Sequence, residues 1–312
     1  MKNPGYKIFA PASVGNAAVG FDCLGFALEE PGDYVIVRFS DEIEGLKITR
    51  ITGAKGKLPY EIEKNTAGYA ASQLLKHLGE EKRGIEMEIH KKMPFGSGLG
   101  SSAASAVAGA MAINELFDQP LEKPALLPFI MDGEELASGS RHADNIAPSL
   151  LGGFILMQNN EEFLYHKLPF VGGLCAAVLH PKVEILTKDA RGILSEQVEL
   201  KKHVEQSANL ASFVVGMYKS NIDIIKESLK DIIIEPQRAK LIPHFSEVKE
   251  TALENGALGC SISGAGPSIF ALCQNDFIAK QVGAAMQNVF TKAKIESSLY
   301  ISPINHEGAI KC

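Results

Sequence analysis

The segment Pro94-Phe-Gly-Ser-Gly-Leu-Gly-Ser-Ser-Ala-Ala-Ser105 places Gly96, Gly98 and Gly100 at alternate positions and follows them with paired serines. Glycine has no Cβ, so successive backbone N–H groups can turn toward one anion. A helix beginning at the serines adds the positive end of its dipole. Together these make a phosphate cradle built from Pro94, Gly96, Ser97, Gly98, Leu99, Gly100, Ser101 and Ser102. The serine hydroxyls at the helix start suit a Mg²⁺ that bridges nucleotide phosphates. No Lys follows the last glycine, so the loop is not a Walker A motif, and its G-x-G-x-G spacing is not the G-x-G-x-x-G of a dinucleotide fold. Such a fold would also want an acid near position 120 at a strand end, whereas Glu122 reads as the start of a helix.

Glycine is in modest surplus: the chain of 312 residues has 29, where average usage gives about 22. Nine of them fall in three clusters: Gly15, Gly20 and Gly25; Gly96, Gly98 and Gly100; Gly259, Gly264 and Gly266. All three clusters are expected at turns. The formal net charge of −6 gives no general attraction for phosphate backbones. The basic pairs Lys91-Lys92 and Lys201-Lys202 read as solvated surface. Five scattered cysteines without C-x-x-C spacing fit a reducing, cytoplasmic setting and argue against a disulfide framework or a zinc site. Cys260 reads as buried rather than reactive. Pro94 to Asn114 carries no charge, yet its Gly, Ser and Ala content is too weakly apolar for a membrane span. Neither nucleic acid nor membrane is expected as a partner.

The elements that must carry these residues follow from periodicity. Strands are expected at 34–39 and 45–51, and at 85–90, where Ile85, Met87 and Ile89 alternate with Glu86, Glu88 and His90. Asn65 can cap a helix whose apolar face runs Ala70, Ala71, Leu74, Leu75, Leu78 and which Gly79 closes. An Ala-rich helix follows the glycine loop to about Phe117, another spans Pro124 to Ala137, and a strand pair covers 153–158 and 163–168. After Pro169 the pattern restarts with a strand at 174–180. Next comes a long helix with Val204, Ala208, Ala211, Val215 and Tyr218 at helical spacing. A helix near 244–255, strands at 257–263 and 268–273, a helix through Ile278 to Val289 and a strand near 298–301 complete it. Helices and strands mix in both halves, which predicts two α/β-type domains, 1–168 and 169–312.

The glycine loop resembles the central ATP-binding motif of the galactokinase, homoserine kinase, mevalonate kinase and phosphomevalonate kinase superfamily. Ala10–Gly25 and Gly259–Phe270 are similar to its N-terminal and C-terminal motifs, in the right order. The closest likeness is to the homoserine kinase branch, carried by Asn16-Ala-Ala-Val-Gly-Phe-Asp22, Ser138-Gly-Ser-Arg-His-Ala-Asp-Asn145 running on to Gly153, Thr187–Arg191 and Glu235–Arg238. The resemblance implies an α+β fold: an N-terminal ribosomal-protein-like domain that binds ATP, and a C-terminal ferredoxin-like domain. The last strand near 298–312 would return to the first, and the active site would lie between them. It implies ATP and Mg²⁺, with L-homoserine as acceptor and a homodimeric assembly.

The same resemblance assigns roles. Ser102 and Glu134 would hold the metal, with Glu135 as the rival carboxylate. Arg191 and Arg238 would clamp the substrate carboxylate, since a guanidinium forks onto its oxygens. Asp22 would take the ammonium. Asn16, His142 and Gly264 would complete the amino-acid pocket. Asn65 resembles the adenine-side segment as well as a helix cap. Mevalonate kinase-like members use an Asp where this chain has Asn145, and an amide is no general base. Asn145 would therefore orient the hydroxyl, with no side-chain base; Asp22 is the alternative base. A kinase of another small alcohol and a non-catalytic nucleotide sensor are the competing functions.

Overall fold

The computed structural model describes residues 5–139, 141–185 and 187–312. The first half runs β1 (Tyr6–Gly15), β2 (Leu24–Phe39), β3 (Leu46–Thr52), α1 (Thr66–Leu78), β4 (Ile85–His90), α2 (Ser101–Leu116), α3 (Leu127–Ser138), α4 (Ile146–Leu151), β5 (Phe154–Asn159) and β6 (Leu164–Leu168). The second runs β7 (Cys175–Pro181), α5 (Thr187–Gly192), α6 (Leu200–Tyr218), α7 (Ile222–Ser228), α8 (Glu235–Arg238), α9 (Phe245–Glu254), β8 (Gly259–Ile262), β9 (Ile269–Cys273), α10 (Asp276–Lys292), β10 (Ser297–Pro303) and β11 (Ile310–Lys311). One sheet is ordered β11-β1-β2-β4-β3, with β2 also pairing β5 and β5 pairing β6; the other is ordered β10-β7-β9-β8. The strand expected near 298–301 is thus β10 of the second sheet, and only β11, two residues long, joins the first.

β1 lacks the alternation that marks a half-buried strand. Its last eight residues leave only Phe9 partly exposed, so there is no alternation to read, and Pro11 argues against a paired strand. The proline is accommodated beside a register shift between Pro11 and Ser13. Gly15 and Gly25, expected at turns, instead sit opposite each other in the β1–β2 ladder, and Gly259 opens β8. A Cβ on Gly25 would fall 1.8 Å from the Asp144 carbonyl oxygen, so this glycine serves close approach rather than a turn.

α2 explains the uncharged run. It is buried from Ala103 to Leu116, and its small residues let α1 cross closely: a Cβ on Gly109 would lie 2.3 Å from the Ala67 carbonyl oxygen. No described helix is long and apolar enough to cross a membrane. β7 and β9 are buried on both faces. Ala176 and Val178 of β7, with Phe270 and Leu272 of β9, face the core shared with the first sheet; Cys175, Ala177 and Leu179, with Ile269, Ala271 and Cys273, face a second core under α9 and α10. The two-residue period of a strand does this directly. Phe26 meets its cross-strand neighbour Phe154 at 4.8 Å and, across the junction between the sheets, Phe270 at 5.6 Å. Burial pushes the Cys260 thiol well above its usual range, which makes it inert.

Lys91, expected on the surface, is buried beside Asp33 of β2. Its ammonium also donates to the Ser101 carbonyl and the Ser105 hydroxyl, both at 2.6 Å. Asp33 accepts from the Lys92 amide at 2.7 Å and from the Ser101 hydroxyl at 3.3 Å. A basic pair in sequence does not reveal that one member points inward toward an acid 58 residues earlier. Breaking a buried pair strands the surviving charge. Asp33→Ala should therefore lower stability by about 3–5 kcal/mol, read by urea denaturation. Adding Lys91→Met should restore much of that loss. A single variant within 1 kcal/mol of the parent, about the scatter of an exposed pair, would contradict the assignment.

Candidate active site

The glycine loop joins β4 to α2. Gly96, Gly98 and Gly100 take φ of 60°, 76° and 65°, the left-handed region. The turn between β8 and β9 closes over it. The Ser263 hydroxyl donates to the Gly98 carbonyl at 2.7 Å, and the Ser268 amide donates to the Ser97 carbonyl at 3.2 Å. A Cβ on Gly98 would sit 2.3 Å from the Ser263 carbonyl oxygen. The loop borders a cleft of about 340 Å³, in the range of small-ligand sites. Gly96, Ser97, Gly98, Gly100, Ser101 and Ser102 line it, whereas Pro94 and Leu99 do not. Asn65 is also off the wall. It caps α1 by accepting from the Ala67 and Gly68 amides, each at 3.2 Å, while its neighbours Lys64 and Thr66 face the cleft.

At the start of α2 the Ser102 hydroxyl donates to Glu134 of α3 at 2.9 Å. Burial raises the Glu134 carboxyl to about 7; the charge of Asp144 adds to this, while Ser102 and Lys91 oppose it. Glu135 points elsewhere, to Arg141 at 2.6 Å. Among the described residues no group of three or more His, Cys, Asp or Glu could cage a metal ion. One hydroxyl and one carboxylate suit Mg²⁺, which is commonly held by a carboxylate or two together with substrate phosphates.

The opposite wall is charged. Asp22 accepts two hydrogen bonds from Arg191, at 3.0 and 2.7 Å, and His142 Nδ1 lies 3.6 Å from it. The two residues expected at opposite ends of a zwitterion thus neutralise each other, as opposite charges in a half-buried pocket will. Both guanidinium groups lie over the Phe21 ring, Arg191 at 5.6 Å and Arg238 at 5.0 Å. Arg238 is buried and held by the carbonyls of Ala190 (2.9 Å) and Gly264 (3.2 Å). Asn16 donates to the Gly264 carbonyl at 2.8 Å and accepts from the Asp22 amide at 3.0 Å. Burial lowers the pKa of His142, against the pull of Asp22, and keeps the ring neutral near pH 7. Among the described residues, His142 Nε2 and Arg191 Nε are buried without a hydrogen-bond partner. Such atoms are costly unless a ligand meets them.

Asn145 sits between the glycine clusters. Its Oδ1 accepts from the Ser13 hydroxyl at 3.0 Å, and Cβ atoms on Gly15 or Gly100 would crowd its amide at 2.4 and 2.9 Å. Beside it lies a residue that sequence reasoning passed over. Asp144 is buried on the cleft wall and accepts from the Asn16 amide at 3.0 Å. The adjacent acid and amide in His-Ala-Asp-Asn were visible, but that both of them line the cleft was not. Burial first, then the neighbouring Asp22 charge, raises Asp144 to about 7. Its unfolded value is about 3.9, so the fold favours the neutral acid. That stabilisation is full below about pH 4 and is lost as pH rises through about 7. Thermal melts should therefore show the parent losing ground to Asp144→Asn between pH 5 and 8. A constant offset between the two profiles would contradict this.

Comparison with known proteins places these features in a family. The model described as GHMP kinases N terminal domain matches residues 65–153, and the one described as GHMP kinases C terminal matches residues 212–292. A homoserine kinase of Chlorobium phaeobacteroides (strain BS1) is 43% identical over 311 residues, covering 96% of this chain and 97% of the relative. One from Xylella fastidiosa (strain M12) is 41% identical over 303 residues, covering 97% and 92%. The crystal structure of homoserine kinase from Cytophaga hutchinsonii superposes with a TM-score of 0.96 at 48% identity, covering 100% of this chain and 98% of that one. The L. major mevalonate kinase, solved with R-mevalonate, shares the fold at a TM-score of 0.71 and 17% identity over 97% of this chain and 99% of that one. The chain belongs to the GHMP kinases and, within them, to the homoserine kinase family.

Proposed function

We propose that the protein transfers the γ-phosphoryl group of ATP to the side-chain hydroxyl of L-homoserine, making O-phospho-L-homoserine on the route to threonine. The observation that carries this is one cleft with two chemistries. The glycine loop with Ser102 and Glu134 forms one wall, and Asn16, Asp22, His142, Arg191 and Arg238 form the other. The names of the relatives at 41–43% identity support it. Residues 1–168 and 169–312 are read as the two domains, the protein as cytoplasmic, and the assembly as a homodimer.

In this reading the loop amides and the α2 N-terminus hold the polyphosphate. Ser102 and Glu134 hold Mg²⁺, which when bound neutralises charge on the β- and γ-phosphates. Arg191 and Arg238 take the substrate carboxylate, and Asp22 exchanges part of its ion pair for the ammonium. Neutral His142 and Asn16 hydrogen-bond the amino-acid end. Asn145, its carbonyl engaged by Ser13, keeps its NH₂ for orienting the hydroxyl. The hydroxyl oxygen forms the new bond to phosphorus as the bond to the β-phosphate oxygen breaks. ADP leaves, and the proton passes to solvent or phosphate. Positioning and electrostatics then supply the rate, with no side-chain base. An ammonium site disfavours mevalonate as acceptor, since mevalonate has no ammonium.

Phosphorus NMR after incubation with Mg-ATP and homoserine should show a new phosphomonoester, with no such product from mevalonate or shikimate. ATP binding without turnover of any alcohol would revive the sensor reading. Glu134→Gln should cut kcat by about 100-fold or more while leaving homoserine binding close to normal. Asp144→Asn tests the absence of a base. It should keep kcat within about tenfold, whereas a loss of about 10²–10⁴ is what removal of a general base produces.

A further inference from the structure

His180 is a buried imidazole for which the chemistry above has no use. It stands next to last in β7, 6% exposed, and is not among the residues that line the cleft. Alternation along the strand turns it to the same side as Ala176 and Val178, toward the first sheet. Its Nδ1 lies 3.2 Å from the hydroxyl of Ser268, which is fully buried. Burial lowers the pKa of the ring, so it is neutral near pH 7 and one nitrogen is free to accept. An apolar side chain would pack at such a place with less desolvation cost. What the histidine adds is the bond to Ser268.

Ser268 is where that bond leads. The ladder between β7 and β9 runs from Cys175–Cys273 to Leu179–Ile269. His180 and Ser268 are next in the same register, so their side chains carry the pairing beyond the last backbone step. The Ser268 amide donates to the Ser97 carbonyl at 3.2 Å, and the Ser268 carbonyl accepts from the Ser263 amide at 2.9 Å. The Ser263 hydroxyl in turn holds the Gly98 carbonyl at 2.7 Å. Two successive accepting carbonyls on the phosphate loop, at Ser97 and Gly98, are thus gripped from one turn, and His180 ties that turn to the neighbouring strand. Behind the histidine the strand is itself fixed, because β10 pairs with it along its length with Ser298 opposite His180. Ahead of it the chain runs on to Ile185, which lines the cleft and whose carbonyl oxygen would lie 3.9 Å from a Cβ on Gly96.

We propose that His180 is a positioning residue for the phosphate loop: it holds Ser268, and through that turn the Ser97 and Gly98 carbonyls, in the arrangement that aims the loop amides at a polyphosphate. It acts through Ser268 and not on a reacting atom. Peptide planes fixed by their carbonyls present their amides with less ordering left to be done when an anion arrives. Without the imidazole the Ser268 hydroxyl is buried and unpaired, and the turn must shift to satisfy it. The inference rests on the nucleotide reading of the loop and adds a residue outside the cleft to it.

Calorimetric titration of the full chain with Mg-ADP tests the brace without turnover. His180→Leu should weaken ADP binding about fivefold or more, the worth of one buried neutral hydrogen bond, with unchanged circular dichroism. His180→Asn has a polar δ atom at the same bond count as Nδ1 and should stay within about twofold of the parent. His180→Gln has its polar atoms one bond further out and should lose as much as His180→Leu. A packing role would give the reverse order, since His180→Asn removes the most volume of the three. Ser268→Ala removes the other partner without adding bulk, so the test survives a His180→Leu chain that does not fold. It should match His180→Leu, and the double variant should lose little more than either single one. In steady-state assays the KM for ATP should rise with these losses while the KM for homoserine stays within about twofold. A parent that does not bind Mg-ADP would overturn the nucleotide reading and this inference with it. With a parent that binds, an unchanged affinity in His180→Leu or Ser268→Ala, a His180→Asn no better than His180→Gln, or additive losses in the double variant would each overturn this inference alone.

Discussion

One buried ammonium closes the neck of the phosphate loop. Lys91 stands where the chain leaves β4, and its Nζ donates to the carbonyl of Ser101, where the chain enters α2. The nine residues between are tied off at the base by a single side chain whose charge Asp33 balances. Removing an ion pair from water is costly, and excellent geometry is what offsets it. Here Asp33 also takes two further backbone amides, Lys92 and Met93, at 2.7 and 3.3 Å. The loop can then hold its three alternating left-handed glycines in one arrangement, and Ser102 is delivered to Glu134 in a fixed register.

The cleft works by separating kinds of charge. On the nucleotide side positive potential comes from backbone amides and a helix end, which cost no titratable group. On the acceptor side it comes from two arginines over Phe21, Arg238 restrained by backbone carbonyls and Arg191 by the Asp22 carboxylate. Between them lie Glu134, half-buried, and Asp144, buried, both raised toward neutrality by loss of solvent. Burial that favours the protonated acids keeps the empty cleft from carrying several unpaired negative charges at once.

Much of this was legible from residues. The glycine loop announced itself by spacing, the cap at Asn65 by residue type, and β4 by alternation. β1 was not legible, because a strand buried on both faces around a proline has no alternation to betray it. Lys91 was misread because local composition cannot report a partner on another strand. The Asp22–Arg191 pair escaped for a related reason. Each residue was assigned by what a ligand would want, and their attraction for one another is a property of the folded pocket. Asp144 shows the limit of motif reading, since only the folded pocket brings both adjacent polar residues to the cleft wall.

β7 and β9 have a consequence for how the molecule can move. Each contributes alternate residues to both cores, so neither strand can tilt to suit one layer without opening a gap in the other. The turn that clasps the glycine loop grows directly from β9. The sheet of β7 and β9 is therefore a wall common to two cores, and heating that loosens either core removes support from one face of the strands that carry the clasp.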